Sequence, residues 1–229
     1  VTEDDKQNDN SYVFFATASG MVKRVQLSQF KNLRANGLRA VELNDGDNLI
    51  GVAITDGEQD IMLFSNEGKA IRFNESKIRA MGRTAKGVRG MRVTLLANQG
   101  IEDEDTELED DSQDDQDNDS VVAVSRVVSL VVAPQQGEIL CACERGFGKR
   151  TPFSDFPVKG RGGKGIVAMA VNERNGKLVA SFPVEMSDQI MLVTDGGQLI
   201  RCPVEGIGVK GRSTQGVNVF TTSEGERVV

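Results

Sequence analysis

At 229 residues the chain has the length of a single all-β domain, and with no histidine it holds none of the Ser-His or Cys-His pairs of nucleophilic catalysis. No apolar run approaches the roughly 18 residues that span a bilayer, and the opening Val1-Thr2-Glu3-Asp4-Asp5 is no signal peptide, so a cytoplasmic protein without membrane contact is expected. The net charge of −7 argues against a nucleic-acid ligand only as an average. Twelve acidic and no basic residues fall between Gly100 and Ser120; removing them from the 34 leaves 22 against 27 basic, a body of +5. The run at 98–120 repels itself and buries nothing, so it reads as a disordered acidic insertion, a solvated strap that would compete with a polyanion for the basic surface.

In chain order the pattern is β almost throughout. Strands are predicted at Tyr12 to Thr17, Met21 to Leu27, Leu49 to Ile54, Ile61 to Ser65 and Ala70 to Phe73, separated by turn signals such as Ser19-Gly20, Asp56-Gly57 and Asn66-Glu67-Gly68. Further strands are predicted at Gly87 to Leu96, Val121 to Ala133, Ile139 to Cys143, Ile166 to Val171, Lys177 to Val184, Gln189 to Thr194 and Val217 to Thr222. The pairs flanking Gly20, Gly68 and Gly197 read as hairpins, because glycine takes the positive φ of tight turns. Short helical turns are expected at Leu27 to Asn32 and Glu75 to Arg79. Cys141 and Cys143 share one strand face and read as small buried apolar side chains in a reducing compartment, with Cys202 alone.

Four copies of one unit stand out. In each, an apolar run enters a turn glycine (Gly20, Gly68, Gly146, Gly197) and an arginine follows four residues later: Arg24, Arg72, Arg150 and Arg201. A second glycine, Gly37, Gly87, Gly165 or Gly216, follows at offsets of 17, 19, 19 and 19. The spacing of 48, 78 and 51 residues between turn glycines gives a period near fifty, in the range of propeller blades, with the insertion in the long interval. The expected architecture is an all-β, propeller-like array of about four four-stranded antiparallel blades in one domain, with units at roughly 12–55, 60–133, 138–184 and 189–229.

Charge follows the same repeat. Arg24, Arg72, Arg150 and Arg201, with Lys23, Lys69 and Lys149 beside them, are expected to form one cationic track at equivalent blade positions. Arg34, Arg83, Lys86, Lys159, Arg161, Lys164, Lys210 and Arg212 add a second track in the glycine-rich approaches to the second glycine. The richest is Lys159-Gly160-Arg161-Gly162-Gly163-Lys164-Gly165, whose small residues let backbone and charge approach a phosphate chain closely. With no Trp and one Tyr, stacking platforms for unpaired bases are scarce, so duplex DNA is the expected partner, bound through phosphates with little sequence preference. Gly160-x-Gly162-x-x-Gly165 fits a dinucleotide fingerprint in form, but Ile166 to Val171 reads as a strand where the fingerprint needs a helix. A phosphate-binding P-loop fails as well, with Val158 at its first glycine and Gly165 at its Ser/Thr.

Several of these segments, in order, resemble the C-terminal domain of DNA gyrase A: Phe15 to Arg24, Glu67 to Phe73, Arg79 to Gly90 and Gly208 to Val217. The resemblance implies a β-pinwheel, whose blades exchange strands, and duplex DNA bent around its basic perimeter in support of ATP-dependent negative supercoiling by a type IIA topoisomerase. It implies no catalysis and no cofactor in this domain. ATP and Mg are used by the holoenzyme, with hydrolysis in gyrase B and strand cleavage in the N-terminal part of gyrase A, the A2B2 partners. The family's box, Gln-Arg-Arg-Gly-Gly-Lys-Gly, has its nearest match at Lys159 to Gly165, with Lys-Gly where Gln-Arg is expected. With fewer repeats than is usual for the family, the chain reads as a piece lacking the first blades. The alternatives are the equivalent domain of topoisomerase IV and a protein-interaction propeller.

Overall fold

Each apolar run that enters a turn glycine folds back on the basic strand behind it. In the computed structural model, which describes residues 10–31, 35–94 and 125–229, this makes four hairpins: β1 (Tyr12–Thr17) with β2 (Met21–Gln26), β4 (Asp60–Ser65) with β5 (Lys69–Asn74), β8 (Glu138–Cys143) with β9 (Phe147–Pro152), and β12 (Gln189–Val193) with β13 (Leu199–Pro203). A third strand joins the first of each of the earlier three pairs: β3 (Leu49–Thr55), β7 (Val127–Ala133) and β11 (Leu178–Val184). The acidic insertion and Arg34 lie outside the described residues.

The fourth strand of a sheet comes from the next repeat. β6 (Val88–Arg89) pairs with β2, β10 (Ile166–Val167) with β5, and β14 (Val217–Asn218) with β9, giving the sheet orders β3-β1-β2-β6, β10-β5-β4-β7 and β11-β8-β9-β14. The predicted strands after the second glycines therefore pair over two residues only, and with the preceding sheet. Each guest strand is caught by the preceding turn glycine, whose carbonyl accepts two successive N–H groups. Gly20 O receives Gly90 and Met91, Gly68 O receives Ala168 and Met169, and Gly146 O receives Val219 and Phe220, all at 2.8–3.1 Å. The last sheet is the hairpin β12-β13, and among the described residues no strand lies on the outer edge of β13.

The core lies between sheets. Phe14 and Ala16 of the first sheet meet Ile61 and Leu63 of the second; Met62 and Phe64 on its other face meet Ile139, Cys141 and Cys143 of the third; Leu140 and Ala142 meet Ile190 and Leu192 of the fourth. A strand buried on both faces reads as a continuous apolar run, which is why β1, β4 and β8 lack strict alternation. β12 is buried on one face only and alternates. Short 3-10 turns follow the hairpins at Leu27–Phe30, Glu75–Lys77, Phe153–Asp155 and Val204–Gly206, each burying its first residue. The last two carry no sequence signal beyond a preceding proline, Pro152 or Pro203.

Candidate nucleic-acid interface

The arginines placed four residues past the turn glycines do not form a surface track. Arg72 lies on β5, and from there Nε and Nη2 donate to Asp60 Oδ2 at 3.0 and 2.8 Å while Nη1 donates to the carbonyls of Phe153 and Phe156 in the next repeat. Arg150 pairs with Glu138 at 2.6 Å and donates through Nε to Ile207 O, again in the next repeat. Arg24 stacks over Tyr12, 4.6 Å from the ring centroid, donates to Gly57 O at 3.1 Å and lies 3.8 Å from the buried Glu75. All three side chains tie one sheet to the following repeat. Arg201, with no described repeat beyond it, is exposed.

Lys23 and Lys149 depart furthest from expectation, since they are buried, with 1% and 0% of their surface exposed. Lys149 Nζ donates to the carbonyls of Gly211 at 2.7 Å, Arg212 at 2.5 Å and Thr214 at 3.1 Å. Lys23 Nζ donates to Arg83 O and Ala85 O at 2.5 and 2.9 Å. Burial pushes both ammonium groups below the ordinary lysine range, Lys149 to about 8, with Arg83 adding to the effect at Lys23 and Arg212 at Lys149. These two lysines hold the glycine-rich loops from beneath. Neither is available to a ligand. Lys69 is half-buried, its residue paired in register with Val167 of the guest strand.

The second track is on the surface. Lys86, Lys159, Lys164 and Lys210 are on loops that lead into β6, β10 and β14, and all four are exposed. Arg83, Arg161 and Arg212 occupy one equivalent position. Each donates through Nη1 to the carbonyl two residues past the second glycine of the repeat before: Arg83 to Arg39 at 3.1 Å, Arg161 to Arg89 at 3.1 Å and Arg212 to Val167 at 3.0 Å. One edge of each guanidinium is spent on the scaffold, and the chain of such contacts fixes the spacing from loop to loop.

Two further cations join the central loop through the backbone. Arg92 N donates to Gly163 O at 2.9 Å and Gly162 N to Gly90 O at 2.7 Å, so Arg89 and Arg92 sit beside Arg161 and Lys164. The alternation Val88-Arg89-Gly90-Met91-Arg92 was the available signal, but only the pairing of β6 with the preceding sheet places it here. The resulting site is an open, cationic, backbone-rich surface. It suits phosphates, which need charge and N–H donors without a cleft.

Residues 11–56, 59–106, 137–185 and 188–229 match a family model described as DNA gyrase C-terminal domain, beta-propeller. Among relatives named as the A subunits of DNA gyrase, that of Haemophilus influenzae is 46% identical over 96% of this chain and 25% of its own length. That of Escherichia coli is 44% identical over 95% of this chain and 22% of its own length. The chain thus spans about a quarter of these relatives. A structure of the DNA gyrase A C-terminal domain superposes with a TM-score of 0.74 at 22% identity, covering 97% of this chain and 65% of that one. The crystal structure of the C-terminal domain of DNA topoisomerase IV gives 0.77 at 25% identity, covering 97% and 62%.

Proposed function

Since this chain belongs to the DNA gyrase C-terminal domain, beta-propeller family, we propose that it is a non-catalytic DNA-wrapping domain of gyrase A. It binds duplex through its glycine-rich loops and bends it around the sheet array, in support of ATP-dependent negative supercoiling by an enzyme that includes gyrase B and the N-terminal part of gyrase A. The domain takes no cofactor of its own; ATP and Mg act in the other parts. The setting is the bacterial cytoplasm. The observation that carries this reading is the recurrence of cations on the loops of successive repeats, Lys86, Lys164 and, one turn earlier, Lys159 and Lys210.

Among the described residues no helix is long and apolar enough to cross a membrane. The topoisomerase IV reading is supported by the TM-score of 0.77, but the relatives at 46% and 44% identity are gyrase proteins. Duplex affinity titrated against salt tests the proposal: a steep loss with rising salt is expected, and a flat response or no binding overturns it. A relaxed circle ligated in the presence of the chain should change its linking number if duplex is wrapped.

A further inference from the structure

The third residue after each turn glycine is Lys23, Ile71, Lys149 and Ile200 in the four repeats. In the first and third sheets this position supplies the ammonium that gathers the carbonyls of the loop above. In the second sheet Ile71 lies under Lys159–Gly165, its Cδ1 3.8 Å from a Cβ built on Gly163. A cavity of about 220 Å3 remains there, lined by Ile71, Arg72, Phe156, Lys159 and Lys164 among others. Of loops 82–87, 159–165 and 211–216, the one with the greatest density of cations is thus the one with no lysine fastening it from beneath.

Past its entry, where Lys159 N donates to Arg72 O at 2.8 Å, what fastens it lies on one side. Arg161 Nη1 to Arg89 O, Gly162 N to Gly90 O and Arg92 N to Gly163 O all run to the guest segment of the preceding repeat. An amine at position 71, buried beside Lys159 and Lys164, would not need to carry charge: burial and those cations favour the neutral form, which still donates to carbonyls. Nor does packing demand all the glycines: a Cβ at Gly160 meets nothing within 4 Å, and Gly163 has its nearest neighbour at 3.8 Å. Their smallness serves the outer surface and the freedom of the backbone.

We propose that Lys23 and Lys149 are positioning residues that hold loops 82–87 and 211–216 in fixed shape for phosphate contact. Ile71 leaves loop 159–165 as the compliant contact, able to settle into the cavity beneath it as a bent duplex presses inward. This rests on the DNA-wrapping function proposed for the domain. A rigid three-point belt fits one curvature, whereas one yielding contact between two fixed ones accommodates steps of different stiffness.

The test exchanges the residues that the repeats themselves use, Lys149→Ile and Ile71→Lys, and follows amide hydrogen exchange at Thr214 and Gly162 without DNA. Lys149→Ile is expected to speed exchange at Thr214 about tenfold, the loss of roughly one to two net hydrogen bonds, and Ile71→Lys to slow exchange at Gly162. Unchanged rates at both amides overturn the assignment. Should Lys149→Ile fail to fold, Ile71→Lys decides alone, since it fills a cavity that exists. With duplex added, Ile71→Lys is expected to narrow the range of bend angles seen by end-to-end fluorescence transfer, and an unchanged range removes the role of compliance. Exchange shifts as expected in a chain that binds no duplex would sink the wrapping function and leave the fastening by lysine in place.

Discussion

Arg72 on the second sheet donates to the carbonyl of Phe153, 81 residues further along the chain, at 2.9 Å. It also donates to Phe156 O and pairs with Asp60, so one guanidinium serves a strand, its partner strand and the next repeat at once. Arg72→Ala removes the donors to Asp60 Oδ2 and Phe156 O and one of the two to Phe153 O. A loss of about 2–4 kcal/mol is expected in urea unfolding. Arg201→Ala, at the matching sequence position but exposed, should leave the midpoint unchanged. Equal effects from the two would refute the tie.

Gly68 and Gly197 provide a second matched pair. Both have positive φ, +74° and +85°, so alanine strains either by about 1 kcal/mol. Only at Gly68 does a Cβ collide with the guest segment, 2.1 Å from Met169 O, while Gly197 has open space. Gly68→Ala is expected to cost about 3–5 kcal/mol and Gly197→Ala about 1. Thermal midpoints compared side by side settle it.

Glu75 is fully buried where the other repeats begin the same turn with Leu27, Phe153 and Val204. Its carboxylate accepts from Thr55 Oγ1 at 2.7 Å and from the N–H groups of Gly57 and Gln59 at 3.0 Å. Glu75→Leu, though apolar like its counterparts, strands these donors. It should destabilise the chain by about 2–4 kcal/mol, and a neutral or stabilising outcome would show that packing outweighs them.

For duplex binding, Arg161→Ala combined with Lys164→Ala is expected to lower affinity across sequences and reduce the slope of log affinity against log salt by about one per lost contact. The cost in stability should stay near the roughly 1 kcal/mol of the one hydrogen bond from Arg161 to Arg89 O, because Lys164 is exposed. An unaltered slope would take this loop out of the interface.

Lys149 gives a pH dependence. Burial lowers it from 10.5 to about 8, so above pH 8 the unfolded chain binds more protons than the folded one and stability from this group rises until about pH 10.5. Arg212 and Asp155 face it with opposite effects. The thiols of Cys141 and Cys143 are pushed up by burial, Cys143 to about 12, and this contribution is common to the native chain and Lys149→Ile. Urea midpoints between pH 7.5 and 10.5 should climb for the native chain relative to Lys149→Ile. Parallel curves would contradict the burial of a charged amine.

The β character and the hairpins at Gly20, Gly68 and Gly197 were legible because apolar runs such as Ile61 to Phe64 stop at turn glycines. The hairpin at Gly146 was not, since β9 is Phe-Gly-Lys-Arg-Thr-Pro and carries few apolar residues. Val88-Arg89 and Ile166-Val167 read as strands, but which sheet they joined depended on Gly20 and Gly68 offering a carbonyl, something no side-chain pattern encodes. The basic loops were legible in the same way. The fate of Lys23 and Lys149 was not: a lysine on a strand reads the same whether it meets water or a ring of carbonyls, and only the fold brings residues 211–214 over position 149.

Because each of the first three hairpins is finished by a strand that belongs to its successor, the molecule has no seam at the borders of its repeats. A cut after Ala133 would remove β10 from the sheet that owns it, whereas a shortened version that retains through Met169 would carry two whole sheets. Mechanical pull on one unit loads its neighbour through the shared strand, so a load applied at the rim would be spread along the array rather than borne at a single joint.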